Sequence, residues 1–228
     1  MRIFGRPLRL LILDWDGVVL DLMACYWLML ERVAETMGLP QEPILAQEAG
    51  HYKGTRFGTA TFGALLRETW PHLGSSDVQT FAEKFWRMEE EIGYPTVDGS
   101  VRAIRKFQRR GMPIAVCTMN SRAAMIWKLR AAGLRLEDFA VICTREDARC
   151  VKPDPRMVLP IFRAVPVPRE CALYVGDHYP DFDLARNARL PFAAVMSGGI
   201  PRDAFEREGL RPNRIFRDLE DLARLVES

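Results

Sequence analysis

The chain has 228 residues, 48% of them hydrophobic and 27% charged, enough to bury a full core in one large domain or in one domain carrying an insertion. A net charge of +2 excludes a strongly charge-driven partner, so nucleic acid is not expected, although Arg outnumbers Lys by 27 to 5 and each lysine stands out. The five cysteines, Cys25, Cys117, Cys143, Cys150 and Cys171, form no Cys-x-x-Cys pair and read as buried free thiols of a reducing, cytoplasmic setting.

Arg2, Arg6 and Arg9 precede an apolar run that is too short for a signal peptide and ends in aspartates. That run, Leu10 to Leu13, has the length of a strand buried on both faces. If the extended geometry persists through Asp14-Trp15-Asp16, the two carboxylates point to the same side, and Gly17 then lets the chain turn. Leu22 to Met37 reads as a helix with Asp21 as N-cap and Gly38-Leu39-Pro40 as its stop; its apolar part is far shorter than a membrane span. Gln41 to Ala49, Ala60 to Thr69 and Ser76 to Ile92 are further helices, separated by glycines and Pro71, with no convincing strand among them.

From Tyr94 onward the pattern changes. Helices are expected at Ser100 to Arg110, Arg122 to Ala132, Pro155 to Val165, Phe182 to Ala188 and Asp218 to Val226. Between them lie apolar strands at Pro113 to Cys117, Phe139 to Cys143, Cys171 to Val175 and Phe192 to Val195. Alternating strands and helices predict an α/β fold, a parallel sheet covered on both faces.

Ligands of such sheets sit beyond the carboxyl ends of the strands. Those exits carry Asp14 and Asp16, then Thr118-Met119-Asn120, then Lys152-Pro153-Asp154-Pro155, then Asp177-His178-Tyr179-Pro180-Asp181. Two like charges at a buried strand end need a metal ion, a proton or a basic side chain nearby. Asp14, Asp16, Asp177 and Asp181 together suit a hard cation, magnesium first, while Lys152 and Thr118 suit a phosphoryl group. Neither a nucleotide P-loop nor Gly-x-Gly-x-x-Gly is present.

The order Asp-x-Asp-Gly-Val, Thr, Lys-Pro-x-Pro, Gly-Asp-x-x-x-Asp resembles the haloacid dehalogenase superfamily over nearly the whole chain. The helical block falls where members of its phosphoglycolate-phosphatase-like branch insert a cap. The resemblance implies a Rossmann-like three-layer core, residues 1–21 and 95–228, with a helical cap at 22–94. It further implies a magnesium-dependent phosphatase of a small phosphorylated metabolite, with phosphoglycolate the family default. Asp14 would be the nucleophile that forms an aspartyl-phosphate, and Asp16 the acid and then the base. Thr118, with Met119 and Asn120 beside it, and Lys152 would hold the phosphoryl oxygens. The Asp14 carboxylate, the Asp16 backbone carbonyl and Asp177 would hold the metal, with Asp181 direct or through water. Motif two departs from the family in placing Met119 directly after Thr118.

The cap should supply specificity. Gly50 to Arg56 is the loop expected to face the site, with Lys53 and Arg56 as substrate contacts. It faintly resembles the Lys-Gly-x-x-Arg loop of beta-phosphoglucomutase, which makes a phosphotransferase the alternative; Arg56 comes one residue early. A catalytically silent binding or regulatory relative is the third reading, and monomer or dimer is left open. His178 is a support behind the metal ligands, a substrate contact or an exposed loop residue, His72 a surface residue, and Trp70, Phe81, Phe85 and Trp86 cap core. Gly198-Gly199 is a turn that could approach the site.

Overall fold

The computed structural model describes residues 1–56 and 61–225. A short antiparallel hairpin, β1 (Arg2–Ile3) and β2 (Arg6–Pro7), leads into β3 (Leu10–Leu13), whose four side chains are all fully buried. The sheet is completed by β4 (Ile114–Cys117), β5 (Val141–Cys143), β6 (Ala172–Gly176), β7 (Phe192–Val195) and β8 (Ile215–Phe216). Its order is β5-β4-β3-β6-β7-β8, and every pairing is parallel.

The period-2 alternation of β3 divides the core. Leu11 and Leu13 pack in one apolar cluster with Ile104 and Phe107 of α5 (Ser100–Arg109), Met125 of α6 (Arg122–Ala131) and Leu222 of α11 (Leu219–Leu225). Leu10 and Ile12 face the other cluster, with Ile161 of α8 (Leu159–Ala164) and Leu184 of α9 (Tyr179–Asn187). Helices on both faces explain why the strand is a continuous apolar run. Because β3 lies between β4 and β6, chain connections leave it in opposite directions and open a crevice at its carboxyl end.

Among the described residues, four α-helices lie between β3 and α5: α1 (Tyr26–Thr36), α2 (Glu42–Tyr52), α3 (Phe62–Thr69) and α4 (Ser75–Ile92). Their shared core includes Val33, Leu66, Trp70, Phe81 and Phe85, all buried, whereas Trp86 is exposed. The two connections to the sheet run side by side: Asp21 N–H donates to the Pro95 carbonyl at 2.9 Å, and Val97 N–H to that of Val19 at 2.9 Å.

Several boundaries differ from the sequence reading. The first helix is split into a 3-10 turn, Leu22–Ala24, and α1, and the Asp21 side chain caps neither. The second runs on to Tyr52, taking Gly50 and His51 into α2. The third starts at Phe62 with Thr61 accepting from Ala64 N–H; Ala60, its expected first residue, lies outside the described residues, as does Val226. α9 starts at Tyr179, because Pro180 in a first turn lacks only an N–H that would be unpaired anyway. The hairpin, β8, α7 (Arg145–Ala148) and α10 (Arg202–Arg207) are too short to show a periodicity. Among the described residues no helix is long and apolar enough to cross a membrane.

Candidate active site

The crevice at the end of β3 collects the predicted residues. Lys152, 2% exposed, places its ammonium 2.6 Å from Asp14 Oδ1 and 2.7 Å from Asp181 Oδ1. Burial alone would drive the Lys152 proton off, but the Asp14 and Asp181 charges outweigh it and hold the ammonium above its usual range. Tyr174, in the middle of β6, adds a hydroxyl that donates to Asp181 Oδ1 at 3.0 Å.

Asp14, Asp177 and Asp181 each offer an oxygen, all within 4.8 Å of one another. Burial, reinforced by Asp181, pushes the Asp14 carboxyl up to about 7 against the pull of Lys152. Burial and the same neighbours push Asp177 well above the carboxylate range. Asp177 forms no ion pair with a basic side chain among the described residues. It is pressed between Gly17 and Gly198, where an added Cβ on either would run into its carboxylate. Gly17 also needs its φ of +74°, and its carbonyl accepts from Ser197 Oγ at 2.5 Å. A converging set of hard oxygens that repel one another fits a divalent cation such as magnesium.

Asp16 is held apart from this cluster. Its Oδ1 accepts from Lys128 Nζ at 2.9 Å, and its Oδ2 from Asn120 Nδ2 at 2.7 Å. Lys128, on α6 and 1% exposed, also donates to Glu89 Oε1 of α4 and to Asn120 Oδ1, each at 3.0 Å. Burial works against its charge, but Asp16 and Glu89 hold the ammonium above its ordinary value. Asn120 Nδ2 and N–H both donate to Thr118 Oγ1, at 2.9 and 3.1 Å. With its oxygen accepting twice, the Thr118 hydroxyl proton is left to donate into the crevice. Asn120 thus orients Thr118 and Asp16, and the Met119 side chain lines the cavity above them.

The two cap residues fall elsewhere. The Arg56 guanidinium lies 2.6 Å from Asp183 and 3.1 Å from Glu208, and its planar fork is filled by them. Lys53 is exposed, with its carbonyl accepting from Arg207. Neither lines the cavity over Asp14. The expected loop is the end of α2, and it delivers His51 instead, whose Nε2 lies 2.6 Å from the Gly198 carbonyl. His51 stacks on His178 at 5.7 Å and 11°, so His178 belongs to the cavity wall and His72 to the surface.

Lys128, Glu89 and Tyr174 were not among the sequence candidates. Lys128 had one signal, a rare lysine otherwise placed on the apolar face of a helix.

A parallel sheet whose switch-point crevice joins carboxylates, a lysine and a hydroxyl defines an α/β protein with a ligand site at its strand ends. The model of the haloacid dehalogenase-like hydrolases matches residues 11–195, and the chain belongs to that family. It is 29% identical over 202 residues to a phosphoglycolate phosphatase of Agrobacterium fabrum, covering 85% of this chain and 83% of that one. It is 34% identical over 110 residues to a phosphoglycolate phosphatase of Mesorhizobium japonicum, a match spanning only 48% of each. The fold is that of a hydrolase from Pseudomonas syringae, with a TM-score of 0.75, 20% identity and coverage of 96% and 97%.

Proposed function

We propose that the protein is a magnesium-dependent phosphatase that hydrolyses a small phosphate monoester through an aspartyl-phosphate on Asp14. The observation that carries this is the division of the site's charge: Lys152 serves Asp14 and Asp181, while a separate lysine, Lys128, serves Asp16. Lys152 opposes the burial that raises Asp14 and so favours the ionised nucleophile, while Lys128 and Asn120 fix the orientation of the Asp16 carboxyl.

Asp14, Asp177 and Asp181, with the Asp16 carbonyl, would hold the magnesium, which supplies positive charge for the phosphoryl oxygens. Lys152 and Thr118 donate to those oxygens. An Asp14 oxygen attacks phosphorus as the bond to the ester oxygen breaks, and Asp16 gives its proton to the departing alcohol. Asp16, now a carboxylate, takes a proton from water as that water attacks phosphorus, and phosphate leaves with Asp14 regenerated. Lys128 and Asn120 aim both Asp16 oxygens throughout. The helices between residues 22 and 94 act as a cap over the crevice, and the free cysteines suit a reducing cytoplasm.

The names of the relatives make phosphoglycolate the first ester to test. The phosphotransferase reading loses its cap-loop support, since Arg56 is bound to Asp183 and Glu208. A silent binding relative would have no use for two separately neutralised aspartates. The test is phosphate release from a monoester panel with and without magnesium. Turnover should require the metal and vanish in Asp14→Asn; persistence in that variant would refute the nucleophile, and a need for a bisphosphate primer would restore the mutase.

A further inference from the structure

Resting on the phosphatase reading, we infer that the alcohol half of the substrate is uncharged and apolar, with a ring-sized body rather than a carboxylate. A chamber of about 300 Å³ stands directly over Asp14, Asp16 and Lys152. Its walls are mainly apolar, Leu22, Met23, Trp27, Phe62, Leu65 and Met119, with the neutral polar side chains of Tyr26, Gln47 and Thr61 among them. The break in the first helix is what turns Leu22 and Met23 to this wall.

The basic lining of the chamber, among the described residues, is Lys152 and the two imidazoles of His51 and His178. Lys152 is already shared by two carboxylates, and the imidazoles are stacked on each other. Residues 57–60 read Phe-Gly-Thr-Ala and contain no basic side chain. In phosphoglycolate the carboxylate lies two bonds from the ester oxygen, so it would have to enter this chamber. There it would meet apolar walls and the charges of Asp14, Asp16 and Asp177, an unpaired burial that costs heavily.

An aromatic or branched alcohol gains what the carboxylate loses. Phe62 and Met119 also line an adjoining cavity of about 410 Å³, where Phe85, Trp86 and Trp127 stand beside Glu89, Glu90 and Arg145, so further aromatic surface lies next to the chamber. Apolar area removed from water, with ring contacts to Trp27 and Phe62, is worth at least an order of magnitude in kcat/KM.

The experiment compares kcat/KM for benzyl phosphate, ethyl phosphate and phosphoglycolate, with magnesium, on the full chain. Benzyl phosphate should exceed phosphoglycolate by about tenfold or more, with ethyl phosphate between them. Met23→Lys, checked for folding by its melting curve, should narrow or invert that ratio by giving the carboxylate a partner. Phosphoglycolate turned over as fast as benzyl phosphate by the parent would overturn the inference and leave the phosphatase intact. If no ester in the panel were hydrolysed, the phosphatase reading itself would fall and the inference with it.

Discussion

Lys128 is the residue whose removal should be most informative. It is nearly inaccessible and lies within 3.0 Å of Asp16, Glu89 and Asn120, so Lys128→Met keeps the volume while deleting the charge. Breaking a buried pair from one side costs about 3–5 kcal/mol because the partner charge is stranded. The Asp16 side chain is 23% exposed and the Glu89 side chain 11%, and burial already raises Glu89 toward protonation, so the cost should fall to about 3 kcal/mol. For a chain of this size that is a melting temperature lower by about 6–12 °C. Asp16 would lose the donor that fixes Oδ1, and kcat should drop by about 10- to 100-fold, part of what general acid-base catalysis supplies. Adding Glu89→Gln should recover stability by removing the stranded carboxylate, yet leave kcat low, because Asp16 remains unheld. Melting curves and steady-state kinetics on the two single variants and the double variant separate these effects. If Lys128→Met melts with the parent and keeps kcat within about twofold, the three-way contact contributes neither stability nor positioning.

Asp14→Asn should raise the melting temperature of the metal-free protein at pH 7.5. The folded Asp14 carboxyl, at about 7, binds its proton more tightly than the ordinary value of 3.8, so its contribution to stability is lost as pH rises from about 4 through 7. The same substitution should shrink the melting shift produced by magnesium, read by calorimetry; an unchanged shift would remove Asp14 from the metal site. His178 has the opposite sign. Burial, with His51 beside it, lowers it from 6.5 to about 4, so the stability of keeping it neutral is present above pH 6.5 and lost as pH falls toward 4. His178→Ser should flatten the melting curve's pH dependence over that interval, and an equal slope in both proteins would contradict the assignment. Arg56→Ala should leave kcat/KM for small esters within about twofold and cost at most about 1 kcal/mol, since its ion pairs are half-exposed; a large rise in KM would return Arg56 to the substrate.

The strands and the predicted helices were legible because each face of the sheet imposes its own pattern. Leu10–Leu13 read as a doubly buried strand, and Phe192–Val195 was placed to the residue. The strand exits located Asp14, Asp16, Thr118, Lys152, Asp177 and Asp181, since in a parallel sheet those ends converge whatever the sequence separation. What escaped depends on packing across elements. Arg56 could not be assigned because its partners, Asp183 and Glu208, are far along the chain. The use of Lys128 required knowing that α4 and α6 face each other across Asp16. His51 read as part of a loop because Gly50 looked like a stop, yet the helix continues through it to Tyr52.

The charges of the site then account for its demand for a cation. Lys152 answers Asp14 and Asp181, and Lys128 answers Asp16 and Glu89, so each lysine is already outnumbered two to one. Asp177 is left without a basic partner among the described residues, buried, and fixed by glycines that admit no other side chain beside it. A protein that only needed to neutralise these groups could have protonated them or replaced them with apolar residues at lower cost. Retaining all five carboxylates around two lysines makes sense where further positive charge arrives with the ligands. On the proposed phosphatase reading, the same carboxylates disfavour a second anionic group close to the phosphate, and the mainly apolar walls above them add to that bias.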